Sequence, residues 1–436
     1  MKKIFPVILT LLIILSGAQN SFAVEDVKKI DIKQAIEIAK ENNLDILSSR
    51  LNIDIARNDI KTANRLQNPE INLFYNFGRA AKGNPQQLGA SETIEIGKRT
   101  PRKNLAKSNL KLVENTLEYL EFDLRMDVRE AYINLVAAKT VLKNILLRQK
   151  LFEELVEIAE KKVVSKELPE IDLIQAKIAL NQLFTRVNTS ASEVKAKAIE
   201  FNKVINSKLE DYDSLDDFFP DADDFLALMT PKPDSKMPDF NSIAQSSLQN
   251  RIDLKIAKQQ ADVAEKNLSV VIRQRIPDLE LTGGYGYQTK AISDDGTFRA
   301  GAYAGLNIVN LPVFYNYSPE IKNAELKLKQ AQLNCESVEN KALKDLNRTY
   351  GQFLTAKENL NFYNEKLVKD SDKMMNISKS DYEAGRADLT SLIVMEQSYE
   401  EIFQGFTTAT AEYYKSWVEF LREANTEEFY PDTETI

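Results

Sequence analysis

Hydrophobic residues in the first part of the chain change their spacing from the period of a helix to that of a strand. Within residues 31–67 they recur every three or four positions, which predicts an amphipathic helix. Asp31 and Gln34 have the spacing of a capping box at its start, and Pro69 ends the pattern. The next residues alternate, and one face of the predicted strand carries Ile71, Leu73, Tyr75 and Phe77.

The same succession of patterns occurs twice. Residues 43–78 align without a gap with residues 251–286 at an offset of 208, so that Pro69 falls on Pro277. A second alternating stretch follows each proline, at 92–97 and again at 298–309, which predicts two β-hairpins. The predicted segments are a signal peptide at 1–23, a first structural repeat at 24–206 with its hairpin at 69–98, an acidic connector at 207–238, a second repeat at 239–425 with its hairpin at 277–311, and a polar tail at 426–436.

Long helical patterns follow the hairpins. The first covers residues 102–165 without glycine or proline, and after the break SKELPE a shorter helix is predicted over 170–206. The second repeat predicts one helix at 239–276, a long one at 319–384 and a short one at 387–424. At 1.5 Å per residue, two short helices end to end match one long helix of roughly 95 Å. We therefore predict that each long helix pairs with the first short helix near the strands and with the second far from them.

Four strands with an apolar face are too few to close a membrane-spanning barrel. Such barrels start at about eight strands, and an open edge in lipid leaves backbone hydrogen-bonding groups without partners. Either the hairpins are soluble, or several chains combine their strands. Three copies would supply about twelve strands, which lies within the known range.

Composition excludes several classes of function. The chain has no histidine and a single cysteine, Cys335, so it has neither His-based catalysis nor an intrachain disulfide. No nucleophile motif or cofactor loop is present, and we predict no enzyme, no cofactor and no metal site. The net charge of −8 argues against nucleic acid as the main partner.

The N-terminus has the features of an export signal. Lys2 and Lys3 precede an apolar run over 4–15, and Ser21-Phe22-Ala23 forms a small-x-small cleavage site. An uncleaved anchor is the alternative, although the apolar run is shorter than the ~20 residues that span a bilayer. Gln19 follows LSGA where a lipidated cysteine would stand, so lipidation at the usual cysteine is not predicted.

The chain contains, in this order, the segments AIEIAKENNLDILSSRLNIDIARNDIKTA, NPEI, IEIGKRTPRKNLA, LPVFYNYSPEIKNAELKLKQA and YEAGRADLTSLIVMEQSYEE. By the order and doubling of these segments it resembles the TolC-type outer-membrane efflux channel family over nearly its whole mature length, and its hairpin region is most similar to the branch that serves cobalt–zinc–cadmium and other cation exporters. The resemblance implies a mainly α fold with a small β part, and a homotrimer with a twelve-stranded barrel in the outer membrane of a Gram-negative bacterium. It also implies a periplasmic helical tunnel that docks with an adaptor and an inner-membrane transporter to export metal cations or drugs.

The resemblance places adaptor contacts at the two breaks between long and short helices. The predicted tip residues are Lys166, Glu167 and Leu168 in the first repeat, and Gly385, Arg386 and Ala387 in the second. The family favours a glycine at both tips; Gly385 fits, whereas Lys166 stands at the first position. The alternative is two ordinary helix–helix loops, with Gly385 as a helix C-cap.

The resemblance also implies a constriction beside the tips. Asp172 matches an acidic position of the family, whereas the corresponding positions of the second repeat are Ser391 and Val394. Asp172 and Tyr382 match a hydrogen-bonded latch of the closed state, and Arg386 lies near a second link. The alternatives are that Asp172 caps a helix start and that Tyr382 is a packing aromatic.

Basic residues cluster where the first hairpin meets the long helix, at Lys98, Arg99, Arg102 and Lys103. We interpret them as a patch near lipid headgroups, with a solvated helix start as the alternative.

Two other functions stay open for the whole chain. One is a duct for protein secretion, and the other is a periplasmic coiled-coil scaffold, which leaves the strand pairs unexplained.

Overall fold

The computed structural model describes residues 30–75, 77, 85–206, 240–288, 300–384 and 386–426. The predicted signal peptide, the connector at 207–238 and the tail from residue 427 onward lie outside the described residues. Gly385 does so as well.

Helices and strands follow one another in the same order in both halves of the chain. The first half consists of α1 (Ile32–Asn42), α2 (Leu44–Ala63), β1 (Glu70–Tyr75), β2 (Pro85–Ile94), α3 (Arg99–Val164) and α4 (Glu170–Ile205). The second half consists of α5 (Phe240–Asn250), α6 (Ile252–Arg273), β3 (Asp278–Gln288), β4 (Ala300–Val309), α7 (Ser318–Phe362), a π-helical turn (Tyr363–Leu367), α8 (Val368–Glu383) and α9 (Leu389–Ala424). The fold is mainly helical with a small antiparallel sheet.

The first helix of each half is broken in two, which corrects the prediction of single helices over 31–67 and 239–276. At Asn43 the backbone is extended, and the side chain accepts hydrogen bonds from the N–H groups of Asp45 at 2.9 Å and Ile46 at 3.0 Å. Arg251 marks the second break and donates to the carbonyl of Glu423 at 2.7 Å. These polar contacts lie within a continuous apolar periodicity, so the pattern of hydrophobic residues did not reveal them.

The capping box at the start of α1 is confirmed. The Gln34 N–H donates to Asp31 Oδ1 at 2.7 Å, and the Asp31 N–H donates to Gln34 Oε1 at 3.3 Å. Both contacts satisfy backbone groups that have no partner within the first turn of a helix.

The four strands form one antiparallel sheet in the order β1-β2-β3-β4. Strand β2 begins at Pro85, earlier than the predicted 92–97, and it ends before Gly97, whose φ of +68° turns the chain toward α3. The polar pair Gln86 and Gln87 breaks the alternation of apolar and polar residues at this early start. A Cβ at Gly284 would collide with the Leu88 carbonyl, so the close approach of β2 and β3 requires glycine there.

Register places the predicted apolar positions on one face of this sheet. Leu73 pairs with Leu88, Leu88 with Tyr285, and Tyr285 with Ala302. In an antiparallel sheet, directly paired residues point to the same side, and residues two apart share it. The face therefore carries two polar residues, Gln86 and Glu92, and is otherwise mainly apolar, with Ile71, Leu73, Tyr75, Leu88, Ala90, Ile94, Leu279, Leu281, Tyr285, Leu306 and Ile308.

The helices form a layer in which the long helices change neighbours along their length. Near the strands the order is α2-α3-α6-α7, and far from them α3 packs against α4 and α9, while α8 packs against α9. The long helix α3 thus contacts α2 first and α4 afterwards, as the helix lengths predict. Within the described residues, no helix is both long and apolar enough to cross a membrane.

Two apolar clusters hold the layer together. The larger one lies at mid-height, where α1 and α5 pack on the long helices, and it includes stacked aromatic side chains. The Phe353 ring lies 4.6 Å from that of Trp417 and 6.1 Å from that of Phe420, between centroids. The smaller cluster lies between the tips and mid-height and contains Phe152 and Leu389.

Ion pairs fix the joint between strands and helices. Lys98 Nζ lies 2.7 Å from Oδ2 of the buried Asp278, and both terminal nitrogens of Arg102 lie 2.8 Å from the Glu95 carboxylate. Arg102 also donates to the Ala63 carbonyl at 3.0 Å. Two of the four residues in the predicted basic patch are therefore engaged inside the chain, and they connect α2, β2 and β3 to α3.

The second long helix is helical without a gap from Ser318 to Glu383, as predicted over 319–384, but a π-helical turn interrupts its α-helical repeat. One π-helical turn, Tyr363–Leu367, adds a residue to the helical repeat. The Tyr363 ring lies directly over Gly405 of α9, where an added Cβ would collide with its hydroxyl. The interruption thus coincides with the place where the neighbouring helix has no side chain.

Candidate functional site

The first tip is a tight turn between α3 and α4. Lys166 adopts the left-handed conformation with φ +62°, and the N–H groups of Glu167 and Leu168 donate to the Lys162 carbonyl at 2.9 and 3.2 Å. This is the conformation in which glycine is favoured at a helix C-terminus. Lys166 therefore adopts at this tip a backbone shape that favours glycine, although it is not a glycine. Lys166 and Glu167 are exposed, whereas Leu168 packs against the smaller apolar cluster.

The second tip is held by its own charges. The Arg386 guanidinium donates to Asp381 Oδ1 at 2.7 and 2.9 Å, and the Arg386 N–H donates to the Asp381 carbonyl at 2.7 Å. The Ser391 N–H donates to Asp388 Oδ1 at 2.8 Å, which caps α9. Ala387 also donates its N–H to the Asp381 carbonyl. Within the chain, Arg386 thus stabilises its own turn.

The two tips pack against each other. Thr390 Oγ1 of α9 donates to Gln175 Oε1 of α4 at 2.7 Å, and Lys162 Nζ lies 4.9 Å from the centre of the Tyr382 ring. Leu168 and Tyr382 belong to the same apolar cluster. The structure therefore brings the described residues of both predicted tips to one end of the helical layer.

The predicted latch residues are neighbours that do not bond within the chain. Tyr382 is buried, and among the described residues its hydroxyl has no hydrogen-bond partner. Burial raises the pKa of Tyr382, and the nearby charge of Asp172 raises it further. Asp172 lies in the first turn of α4, where a carboxylate also favours the helix start. The geometry is compatible with both interpretations, and the latch stays a prediction.

A buried charged layer lies above the tips, and the sequence did not reveal it. Arg148 of α3 donates to the Glu396 carbonyl at 2.7 Å and lies 3.1 Å from Glu396 Oε2, both of α9. Glu400, one turn further along, lies 2.5 Å from Arg186 of α4. Arg148 is 5 % exposed, Glu396 1 % and Glu400 3 %. These charged residues join α9 of the second half to α3 and α4 of the first half.

Burial dominates the electrostatics of this layer. It raises the pKa of Glu396 and lowers that of Arg148, although each charge opposes the shift of the other. Among the described residues, neither side-chain oxygen of Glu396 has a hydrogen bond of good geometry. The spacing of residues along α9 could have predicted this burial. Glu396 and Glu400 fall at i and i+4 within the buried stripe that also contains Leu389 and Ile393.

Comparison with known proteins places this geometry in context. Residues 243–419 match the family model of the outer membrane efflux protein. No curated protein sequence matches the chain. The efflux-protein match covers α6, both strands of the second hairpin and the second tip.

Solved channel structures share the fold. The Campylobacter jejuni CmeC outer membrane channel is 16 % identical with a TM-score of 0.71, and the comparison covers 93 % of this chain and 90 % of CmeC. CusC is also 16 % identical with a TM-score of 0.71, covering 94 % of this chain and 95 % of CusC. The Neisseria gonorrhoeae MtrE outer membrane channel is 15 % identical with a TM-score of 0.68, covering 93 % and 94 %. At these identities the similarity establishes the fold alone.

Replacing Lys166 with glycine should stabilise the first tip. Glycine removes the steric cost of the left-handed conformation, which exceeds its larger entropy loss, so the gain is about 0.5–1 kcal/mol. The amide protons of Glu167 and Leu168 should then exchange with solvent roughly two- to fivefold more slowly. Ser165→Gly is the matched control, because Ser165 has an ordinary helical φ of −76°. In Ser165→Gly the amide protons of Glu167 and Leu168 should exchange faster than in wild type. Equal effects of the two glycine substitutions would refute steric strain at Lys166.

The charged layer should make stability depend on pH. The pKa of Glu396 is raised above its ordinary value of 4.5, so the folded chain holds a proton there that the unfolded chain releases. This contribution is complete below pH 4.5 and is lost as pH rises toward the raised folded pKa. Glu396→Gln cannot ionise, so its unfolding free energy relative to wild type should rise through that window, with a slope of at most about 1.4 kcal/mol per pH unit.

Urea titrations at a series of pH values would measure this difference. Glu401→Gln, at an exposed carboxylate of the same helix, is the control and should run parallel to wild type. A Glu396→Gln curve that also runs parallel would show that the buried carboxyl carries no such pH dependence.

Proposed function

We propose that this chain is the outer-membrane channel of a tripartite efflux system and works as a homotrimer. The observation that carries the proposal is the sheet, whose apolar face has no core behind it. Ile71 is 74 % exposed, Leu73 78 %, Leu306 62 % and Ile308 60 %. Uncovered apolar faces of this size mark contact with lipid or another protein. The efflux-protein family match and the channel fold support the lipid-facing interpretation.

The open edges of the sheet support assembly. Among the described residues, β1 pairs only with β2 and β4 pairs only with β3. In lipid such edges need partners, and a neighbouring copy offers the complementary edge. Three copies would supply about twelve strands, and the same rotation would close their helical layers into a tunnel. In this proposal the chain conducts substrates and catalyses no reaction.

The remaining parts of the proposal follow the same assembly. A cleaved signal peptide exports the chain, the strands lie in the outer membrane, and the helices lie in the periplasm. The tips at Lys166–Leu168 and Arg386–Ala387 would meet a periplasmic adaptor, which links the channel to an inner-membrane transporter. Metal cations and drugs are the proposed substrate classes, and the cation-exporter branch is the first to test. Sensitivity of a deletion strain to zinc, copper and cadmium, compared with detergents and dyes, separates them.

Gel electrophoresis of the outer-membrane fraction tests the function and the assembly together. We expect the chain in that fraction, and we expect it to migrate without boiling as a band near three times the mass of the mature chain, which is 49.5 kDa less the signal peptide, and after boiling as a single chain. A chain released with the soluble periplasm, and monomeric under both conditions, would favour the scaffold interpretation instead.

We further propose that Asp172, Tyr382, Arg386 and Ser391 lie at the narrow mouth of the tunnel. Among the described residues the Tyr382 hydroxyl has no hydrogen-bond partner, and the charge of nearby Asp172 acts on it, which supports a latch to a neighbouring copy of the chain. The double change Asp172→Ala with Tyr382→Phe removes both partners and should make cells leak large antibiotics. Phe362→Tyr, on α7 away from the tips, is a control for expression. Unchanged antibiotic sensitivity at equal protein levels would refute the latch.

A further inference from the structure

A groove between α3 and α6 concentrates positive charge in an otherwise acidic chain. It has a volume of about 700 Å³ and is lined by five lysines, namely Lys107, Lys111, Lys255, Lys258 and Lys266. The chain as a whole carries a net charge of −8. Such a local excess of one sign within a concave surface attracts ions of the opposite sign.

Three of these lysines lack a compensating acid. Lys266 lies 3.2 Å from Asp262, and Lys255 lies 3.6 Å from Glu118. By contrast, Lys107, Lys111 and Lys258 are exposed and form no ion pair among the described residues. Their charges therefore stay available to a ligand.

Buried polar contacts fix the floor of the groove. Ser108 Oγ donates to Asp262 Oδ2 at 2.5 Å, and Gln259 Nε2 donates to Ser108 Oγ at 2.8 Å and to Asp262 at 3.1 Å. These bonds lower the pKa of Asp262. They tie α3 to α6 and use the carboxylate internally, so both walls stay at a fixed spacing before any ligand arrives.

The groove lies away from the edges of the layer and extends toward the strands. Because α2 and α7 form the two edges, a neighbouring copy would not cover the α3–α6 groove. A second groove of about 820 Å³ shares Lys266 and continues to Arg273 and Gly97. From Lys255 to Arg273 this basic track measures roughly 27 Å at 1.5 Å per residue, which exceeds the size of a single phosphate.

We propose that the α3–α6 groove binds a phosphate-bearing polyanion, with Lys107, Lys111 and Lys258 as its principal contacts. Lysine binds phosphate as a mobile point charge, and several lysines in one groove favour a ligand with several charges. The source is either a soluble phosphate compound or, resting on the proposed function, the headgroups of anionic phospholipids beside the strand joint. The groove itself requires neither the trimer nor the membrane.

Calorimetric titration of the full-length purified protein tests this inference with two probes. One arm uses inorganic tripolyphosphate, and the other uses mixed micelles of phosphatidylglycerol compared with phosphatidylcholine. The variant Lys107→Gln/Lys111→Gln/Lys258→Gln should weaken binding on the order of tenfold or more at low salt. Arginine at the same three positions keeps the charge and should preserve binding.

Lys327→Gln/Lys329→Gln/Lys344→Gln is the matched control, because it removes the same charge from exposed lysines of α7 outside the groove. It should leave affinity within about twofold of wild type. Binding of tripolyphosphate alone assigns a soluble source, and binding of phosphatidylglycerol micelles assigns lipid. Equal affinity of wild type and groove variant, equal losses in both glutamine triples, or no binding of either probe overturns the inference. A trimer in the outer membrane that binds neither probe would sink the inference and leave the proposed function intact.

Discussion

An open sheet with one apolar face is the constraint on which the rest of this structure depends. Its four strands are too few to close on themselves, and among the described residues β1 and β4 each pair on one side only. Backbone donors and acceptors at such edges need partners wherever water is absent. The proposed trimer meets this requirement, and it gives a reason for the same hairpin in both halves of the chain.

The helices connect the sheet to the tips at the other end of the chain's helical layer. At the joint, Arg102 ties the end of α2 and the Glu95 carboxylate to the first turn of α3. The 66-residue α3 then changes neighbours from α2 to α4 without a break. Helices packed on both sides need apolar residues on more than one stripe, and the two core clusters supply them. The packing of the helical layer therefore links the arrangement of the strands to the arrangement of the tips.

The buried charged layer interrupts this apolar packing between α3, α4 and α9. A buried ion pair contributes little net stability, because the loss of hydration offsets most of the attraction between the charges. It does penalise a shift of α9 along α3, since Arg148 would lose both the carbonyl and the carboxylate of Glu396. We infer that this charged layer fixes the position of α9 along α3 and α4 near the tips.

The sequence predicted the parts that depend on periodicity and missed those that depend on single contacts. Long helices, strand faces and both tips follow from regular spacing and from breaks such as that before Pro169. The helix break at Asn43, the early start of β2 and the π turn at Tyr363 depend on one side chain or one neighbour. The Arg148–Glu396 contact joins residues 248 positions apart, which no local pattern encodes.

Disulfide trapping between edge strands tests the central claim most directly. In a Cys335→Ser background, cysteine replaces Leu73 on β1 together with Ala302, Ala304 or Leu306 on β4. Three strand spacings, roughly 14 Å, separate these strands within one chain, whereas a disulfide requires Cα atoms within about 7 Å. The account predicts covalent dimers and trimers in oxidised membranes for at least one pair. Cross-links absent from every pair, with both cysteines reactive toward maleimide, would contradict it.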